Sequence, residues 1–144
     1  MPKVSVIVPV YNTELFLRKC LDTILSQTLD DIEIIIVEDC STDNSYKICC
    51  EYARKYPTKI TLIRQAQNSG VAAARNIGIK NATGKYITLC RCGDLFSDTY
   101  FSQCLSAFEE FENVPFVAVQ RYCINPVYKD KKANRLNKEK AMLG

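Results

Sequence analysis

The chain has 144 residues, of which 47% are hydrophobic and 24% charged, a composition typical of one folded globular domain and not of a disordered chain. A domain of this length buries roughly two thirds of its unfolded surface, so its eight cysteines are not needed as a disulfide scaffold. The net charge of +3 lies in the C-terminal segment, since residues 129–144 hold six cations and two anions while the rest is nearly neutral. Because nucleic-acid-binding domains carry a basic face within the fold, this distribution argues against a nucleic-acid partner.

Hydropathy predicts a cytoplasmic protein. No apolar run approaches the ~18 residues that cross a bilayer, and residues 4–10 lack the cleavage site of a signal peptide. In the cytoplasm the cysteines are expected to be reduced thiols that pack as small hydrophobic side chains. Cys90 and Cys92 predict no zinc site, because the chain has no histidine and the alternation of a strand would point the two thiols to opposite faces.

Short β-branched or apolar runs alternate along the chain with segments whose apolar residues recur at helical spacing. Helices are predicted after Thr13, which is expected to cap the first of them, and then through 46–53, 70–81 and 98–112. This alternation predicts an α/β fold, with a mostly parallel sheet and helices on both faces. We expect residues 1–126 to form the domain and 127–144 a basic tail or linker. The predicted strands are 4–10, 32–37, 60–64, 86–90 and 114–124.

Ligands of an open parallel sheet bind outside the carboxyl ends of its strands, so the residues that follow each strand are candidates for a site. Tyr11 and Asn12 follow the first strand, where they would either contact a base or ribose or pack in a turn. Asp39 follows the second strand and could accept hydrogen bonds from a nucleobase or a ribose. Ser41 or Asp43 is better explained as a cap of the next helix.

The start of the predicted third helix also favours an anionic ligand. Gly70 would let a ligand approach the backbone N–H groups, which attract negative charge such as phosphate. Arg75 lies about one turn further along the helix. It would either offer its planar guanidinium to a base or phosphate, or be an ordinary surface arginine.

Three segments in this order, 4–12, 37–45 and 68–78, resemble the ordered motifs of family-two glycosyltransferases, with the similarity covering residues 3 to about 112. The resemblance implies a Rossmann-like GT-A fold and an inverting transferase that uses a nucleotide-diphospho-sugar, with a UDP-sugar as the expected donor and a glycan or lipid-linked acceptor. It also implies that Asp39 binds the base, with Glu38 in the place of the acid that commonly precedes it. By the same resemblance Pro9, Tyr11, Asn12 and Arg75 contact the nucleotide.

The chain departs from the family at the end of the fourth predicted strand. There the family carries an Asp-x-Asp-Asp motif that holds Mg²⁺ or Mn²⁺ on the diphosphate, whereas this sequence has Arg91-Cys92-Gly93-Asp94. Only Asp94 matches, and hard cations require several oxygen ligands. Three explanations stay open: Arg91 neutralises the diphosphate, Asp94 holds the metal with waters, or the domain binds nucleotide without catalysing transfer.

No catalytic base is predicted. In the resembled family the base lies in the later, acceptor-binding half of the domain, which we expect to be absent here, and the acidic residues of 109–112 are best explained as solvated charges. The alternative function is a catalytically silent nucleotide-binding or interaction module. A nicotinamide-dependent enzyme is disfavoured, because no Gly-x-Gly-x-x-Gly follows the first strand. The basic tail would be a solvated linker or would touch an anionic membrane surface.

Overall fold

A computed structural model describes residues 1–111 and 115–117. The chain divides into two units, Met1–Gln103 and Cys104–Gly144, and the sheet and the site described below lie in the first. No helix within the described residues is both long enough and apolar enough to span a membrane. Strands and helices alternate in the order β1 (Val4–Val10), α1 (Glu14–Leu25), β2 (Ile32–Glu38), α2 (Ser45–Lys55), β3 (Ile60–Arg64), α3 (Val71–Asn81), β4 (Tyr86–Leu89) and α4 (Tyr100–Glu110).

The four strands form one parallel sheet in the order β3-β2-β1-β4. Val4 at the start of β1 pairs with Ile32 of β2 on one side and with Tyr86 of β4 on the other, so all three strands start in register. The predicted α/β class is confirmed. Of the predicted fifth strand, 114–124, only 115–117 are described, and they are not in a strand; the predicted tail, 127–144, lies outside the described residues.

The two central strands, β1 and β2, are buried on both faces, which explains why β2 is almost wholly apolar. Along β2, Ile34 and Ile36 point into a core shared with α1, α2 and Phe101, whereas Ile35 and Val37 point into a second core with Ala74 of α3. The predicted placement of helices on both faces is confirmed.

Close approach of α3 to the sheet requires a glycine. A Cβ atom on Gly78 would lie 2.3 Å from Cγ2 of Ile7, which is fully buried in the middle of β1. A second glycine, Gly84, brings the loop before β4 against β1, because a Cβ there would lie 2.7 Å from the backbone nitrogen of Ser5. These two contacts fix α3 and β4 close to β1.

The helix caps differ from the expectation for Thr13. Thr13 occupies the N-cap position of α1 but makes no capping bond through its side chain. Its N–H donates to Oγ of Ser45 at 2.9 Å, and the N–H of Glu14 donates to Asp43 at 3.1 Å. The other carboxylate oxygen of Asp43 accepts from the N–H of Ser45 at 2.9 Å, so Asp43 joins the starts of α1 and α2. The expected cap of α2 at Ser41 or Asp43 is wrong by position, because Asn44 is the N-cap residue and makes no capping bond through its side chain, although the adjacent Asp43 accepts the first N–H of the helix.

The thiols of Cys90 and Cys92 do not point to opposite faces, which corrects the expectation from strand alternation. Both belong to the core that packs against α1 and α2. The cause is that β4 ends at Leu89, so the period of two stops before Cys90.

Candidate functional site

A cleft opens at the carboxyl ends of β1 and β4. Strands β2 and β3 are added on one side of β1, whereas β4 pairs with β1 on the other side. The direction in which strands are added therefore reverses between β1 and β4. Open parallel sheets bind ligands at this reversal, because the loops above it diverge and leave a crevice. The cleft has a volume of about 370 Å³. Its lining brings together five of the predicted site residues: Pro9, Tyr11, Asp39, Arg75 and Arg91.

Asp39 lies at the floor of the cleft with 2% of its surface exposed. Its Oδ1 accepts a hydrogen bond from the N–H of Ser69 and its Oδ2 from that of Gly70, both at 2.8 Å. Gly70 has φ of +85°, in the left-handed region that favours glycine, and this conformation turns the chain into α3. Each carboxylate oxygen has a further lone pair with which to accept a bond from a ligand.

Two guanidinium groups face the same cleft. Arg75 is in the first turns of α3, and its Nε is buried without a hydrogen-bond partner in the described part of the chain. Arg91 follows β4 and is exposed. None of the ion pairs among residues 1–111 and 115–117 includes either side chain. The cleft therefore holds two positive charges that are not paired within the described residues, beside one carboxylate.

Tyr11 places an aromatic ring at the end of β1. The residue lines the cleft and 44% of its surface is exposed, although the strand before it is buried. An exposed ring beside a polar cleft can stack on a planar ligand such as a nucleobase.

Asn12 does not line the cleft; its contacts join two loops instead. Its φ of +48° marks a sharp turn after β1. Its Oδ1 accepts hydrogen bonds from the N–H of Thr42 at 2.8 Å and from the hydroxyl of Thr42 at 3.2 Å, while its own N–H donates to Oγ of Ser41 at 3.1 Å. Asn12 thus holds the loop after β1 against the loop after β2.

Glu38 is fully buried and also lies outside the cleft lining. Its Oε1 accepts from the N–H of Ser41 at 2.6 Å, and its Oε2 lies 3.3 Å from Nε of Arg64 without hydrogen-bond geometry. The Arg64 guanidinium in turn lies 3.8 Å over the ring of Tyr46. Glu38 therefore has internal partners, and its assignment to the nucleotide stays a prediction.

Two hydrogen bonds between Arg91 and Asp94 close the loop after β4 into a turn. The N–H of Asp94 donates to the carbonyl of Arg91 at 2.9 Å, and Oδ2 of Asp94 accepts from the N–H of Arg91 at 3.2 Å. The Cys92 thiol donates to the carbonyl of Pro9 at 3.2 Å, which ties the turn to the end of β1. Burial raises the pKa of Cys92 to about 11, so the thiol stays protonated and is a poor nucleophile or metal ligand.

Sequence reasoning missed Thr13 as part of the site. Its buried Oγ1 lies beside the Cys92 thiol, and the residue lines the cleft. The signal was present, because a hydroxyl three residues beyond a strand end lies at the ligand-binding edge of the sheet. It was masked by the more common role of threonine as a helix cap.

The donor set at the cleft does not fit a divalent cation. Within the described residues no group of three or more His, Cys, Asp or Glu side chains is arranged to hold a metal ion. Asp39 already accepts two backbone hydrogen bonds, and Asp94 is absent from the cleft lining. Mg²⁺ and Mn²⁺ prefer several oxygen ligands, which a guanidinium at position 91 and a glycine at 93 do not supply.

The fold and the cleft define an α/β protein of the GT-A type, with its ligand edge at the carboxyl ends of β1, β2 and β4. The family model described as Glycosyl transferase family 2 matches residues 5–143, and the chain belongs to that family. The resemblance of the three sequence motifs is thereby confirmed.

Curated relatives from bacteria are similar over most of this chain. The minor teichoic acid biosynthesis protein GgaB of Bacillus subtilis is 43% identical over 118 residues, which cover 80% of this chain and 13% of GgaB. Glycosyltransferase GlyA of Streptococcus pneumoniae is 43% identical over 110 residues, covering 76% of this chain and 16% of GlyA. The chain thus spans less than a fifth of either relative.

Solved structures share the fold. Residues 1–349 of S. aureus TarS in complex with UDP-GlcNAc superpose with a TM-score of 0.67 at 28% identity, covering 75% of this chain and 31% of that one. The mannosyltransferase PcManGT of Pyrobaculum calidifontis, in complex with GDP-Man and Mn²⁺, gives a TM-score of 0.66 at 27% identity, covering 79% and 33%. Similar domains are therefore known with a uridine and with a guanosine nucleotide sugar.

Proposed function

We propose that this chain is the donor-binding part of a glycosyltransferase that takes a UDP-sugar and passes the sugar to a glycan or lipid-linked acceptor. The observation that carries the proposal is the cleft itself, which gathers an aromatic ring, a buried carboxylate and two guanidinium groups that form no ion pair within the described residues, at the switch point of the sheet. These are the groups that bind a base, a ribose and a diphosphate respectively.

Each lining residue has a role that follows from its chemistry. The Tyr11 ring stacks on the base, and the remaining lone pairs of Asp39 accept from the imide N–H of uracil or from ribose hydroxyls. Pro9 shapes the wall of the cleft beside the base. Arg75 donates to the nucleotide its Nε–H, which has no partner among residues 1–111 and 115–117. The TarS complexes with UDP and UDP-GlcNAc support a uridine ligand, and the teichoic acid relatives support a cell-wall or polysaccharide product.

A second candidate function is nucleotide binding without sugar transfer. Inverting transfer requires a carboxylate free to accept the proton of the acceptor hydroxyl. Asp39 is the one acidic residue that lines the cleft in the described part of the chain, and both of its oxygens already accept hydrogen bonds. In the leading proposal, the general base and the acceptor site come from residues outside the described part.

The bounds of the domain, the cellular location and the role of the basic tail are also part of this proposal. We place the donor-binding domain at residues 1–126 and the protein in the cytoplasm. The cations of 127–144 would touch an anionic membrane surface if the acceptor is lipid-linked.

Calorimetric titration of the 144-residue chain with uridine, UDP and UDP-sugars, in buffers with and without Mn²⁺, tests the proposal. Tyr11→Ala should lower the affinity for uridine about tenfold, because it removes a stacking contact from an exposed ring without disturbing the core. Phe16→Ala is the matched control, since Phe16 is 59% exposed on α1 and does not line the cleft.

Failure of uridine and of UDP to bind under every condition would overturn the proposal. If UDP binds, an assay of nucleotide release from UDP-sugars with glycan acceptors separates the two candidates. Release requires a transferase, whereas binding without release favours the silent module.

A further inference from the structure

The cleft carries an excess of positive charge that the fold does not neutralise. Arg75 and Arg91 face it with no ion pair within the described residues, and Asp39 is the one carboxylate in its lining. The two hydrogen bonds from Ser69 and Gly70 further disperse the negative charge of Asp39. A concave site lined in this way attracts an anion.

The buried part of Arg75 strengthens this argument. Its Nε is buried and lacks a partner among the described residues, although buried polar groups are nearly always hydrogen-bonded. An acceptor from a bound molecule would satisfy it. A guanidinium donates in a planar fork that matches the oxygens of a phosphate group.

Arg91 is held at the mouth of the cleft by its backbone while its side chain is exposed. The turn of residues 91–94 is closed by two hydrogen bonds, and the Cys92 thiol fastens it to the carbonyl of Pro9. The N–H of Cys90 donates to the carbonyl of Ile7 at 2.9 Å, so the approach to the turn is fixed to β1 as well. The guanidinium of Arg91 can therefore reach a ligand in the cleft without rearrangement of the main chain.

The same turn lacks the groups that would hold a cation. Oδ2 of Asp94 accepts the N–H of Arg91, and Asp94 is not part of the cleft lining. A divalent cation placed here would also meet the positive charge of Arg91. A guanidinium thus stands at position 91, which corresponds to the first carboxylate of the Asp-x-Asp-Asp motif in the resembled family.

We infer that this chain binds the diphosphate of its nucleotide through the guanidinium of Arg91, supported by Arg75, and that this binding needs no divalent cation. The inference rests on the proposed nucleotide site and adds how the charged part of the ligand is recognised. It sets the chain apart from metal-bound relatives such as the Mn²⁺ complex of PcManGT.

The experiment is calorimetric titration of the full chain with uridine and with UDP, each in EDTA and in Mg²⁺ or Mn²⁺. UDP should bind more tightly than uridine, with the same Kd in chelator and in metal. Arg91→Gln should lower the affinity for UDP by about tenfold to a hundredfold and leave the affinity for uridine unchanged, since only the diphosphate loses its charged donor. Arg54→Gln, at an exposed position on α2 outside the cleft, is the control with the same change of charge and should bind both ligands as the wild type does.

Three results would overturn the inference while leaving the nucleotide site in place. They are loss of UDP affinity in EDTA, equal affinity of the wild type for UDP and uridine, and unchanged UDP affinity in Arg91→Gln. Absence of binding by both uridine and UDP would instead remove the nucleotide site and the inference together. Thermal unfolding of each variant without ligand checks that the substitutions leave the fold intact.

Discussion

Glu33 shows how one carboxylate on β2 can hold a loop at the amino edge of the sheet. It accepts hydrogen bonds from Oγ of Ser5, from the N–H and hydroxyl of Thr83 at 2.7 and 2.9 Å, and from the N–H of Gly84 at 3.1 Å. Burial alone would raise its pKa, but these donors outweigh burial and hold the pKa of Glu33 below its ordinary value. The ionised form is thus favoured in the folded state.

The lowered pKa of Glu33 predicts acid sensitivity. Its contribution to stability should be complete above the ordinary glutamate pKa of 4.5 and should disappear as the pH falls through the lower folded-state value. Glu33→Gln should lower the free energy of unfolding by about 1 kcal/mol at pH 7, with a smaller difference from the wild type at pH 3. Urea unfolding at the two pH values measures this. Glu110→Gln, exposed on α4, is the control, and a pH-independent difference for Glu33→Gln would contradict the prediction.

Individual site residues were predictable from the sequence where the strand end alone determines their position. Asp39 and Arg91 follow strands, and both face the cleft. Glu38 adjoins Asp39, and Asn12 adjoins Tyr11, which also lines the cleft, yet Glu38 and Asn12 bond to the loop of residues 41–42. Which of two adjacent polar residues faces a ligand depends on the dihedral angles of the turn, such as φ of +48° at Asn12, and the sequence pattern does not specify these.

The contact between α3 and β1 determines how closely this helix approaches the sheet. Gly78→Ala would place a Cβ 2.3 Å from Cγ2 of Ile7. Alanine in a helix interior normally stabilises by about 1 kcal/mol relative to glycine. Here we expect destabilisation by about 1–3 kcal/mol, because the buried isoleucine must shift or the helix must move away.

A double-mutant cycle measured by urea unfolding tests this contact. Ile7→Ala removes Cγ2, so Gly78→Ala should lower the free energy of unfolding less in that background than in the wild type. Gly93→Ala is the control, since nothing lies within 4 Å of a Cβ at that position. If the two substitutions change the free energy of unfolding additively, the close approach of position 78 to Ile7 does not determine the loss of stability.

The elements themselves were largely predictable from periodicity. All eight lie close to their predicted positions, and the patterns are strongest in the central strands β1 and β2, which are buried on both faces, and in the amphipathic helices α1 and α2. The ends were less predictable. Thr13 was expected to cap α1, but the N–H groups there bond to Ser45 and Asp43 across the loop after β2. Such partners are about 30 residues away in the chain, so only the tertiary fold brings them together.

At the scale of the whole molecule, the site depends on strand order more than on any one motif. β4 adds beside β1 and not beside β3, and this places the turn of residues 91–94 across the cleft from Asp39 and α3. Parallel pairing and strand order follow from right-handed crossovers and from which faces are apolar. The chain spans 13% of GgaB and 16% of GlyA, so the similarity concerns a small part of either protein.

The strand order makes a final prediction about charge in the cleft. If the fold determines where the diphosphate lies, and the turn after β4 determines which positive charge balances it, then substitutions in this turn alone should replace the guanidinium by a bound divalent cation. The double substitution Arg91→Asp with Gly93→Asp restores carboxylates where the family pattern carries them. Both positions can accept the change, because Arg91 is exposed and a side chain at Gly93 meets open space.

The altered protein would carry three carboxylates in the turn of residues 91–94, and Arg75 would be the one guanidinium left in the cleft lining formed by the described residues. Its affinity for UDP in EDTA should fall by at least about tenfold, since the diphosphate then faces like charges. Addition of Mn²⁺ should recover that affinity, because carboxylate and diphosphate oxygens together provide the ligands that such a cation prefers. Titration with UDP in EDTA and in Mn²⁺ measures both effects, with Arg91→Gln as the variant that should lose affinity without gaining a response to metal. A double variant that stays indifferent to Mn²⁺ would mean that the turn alone does not determine how the diphosphate charge is balanced.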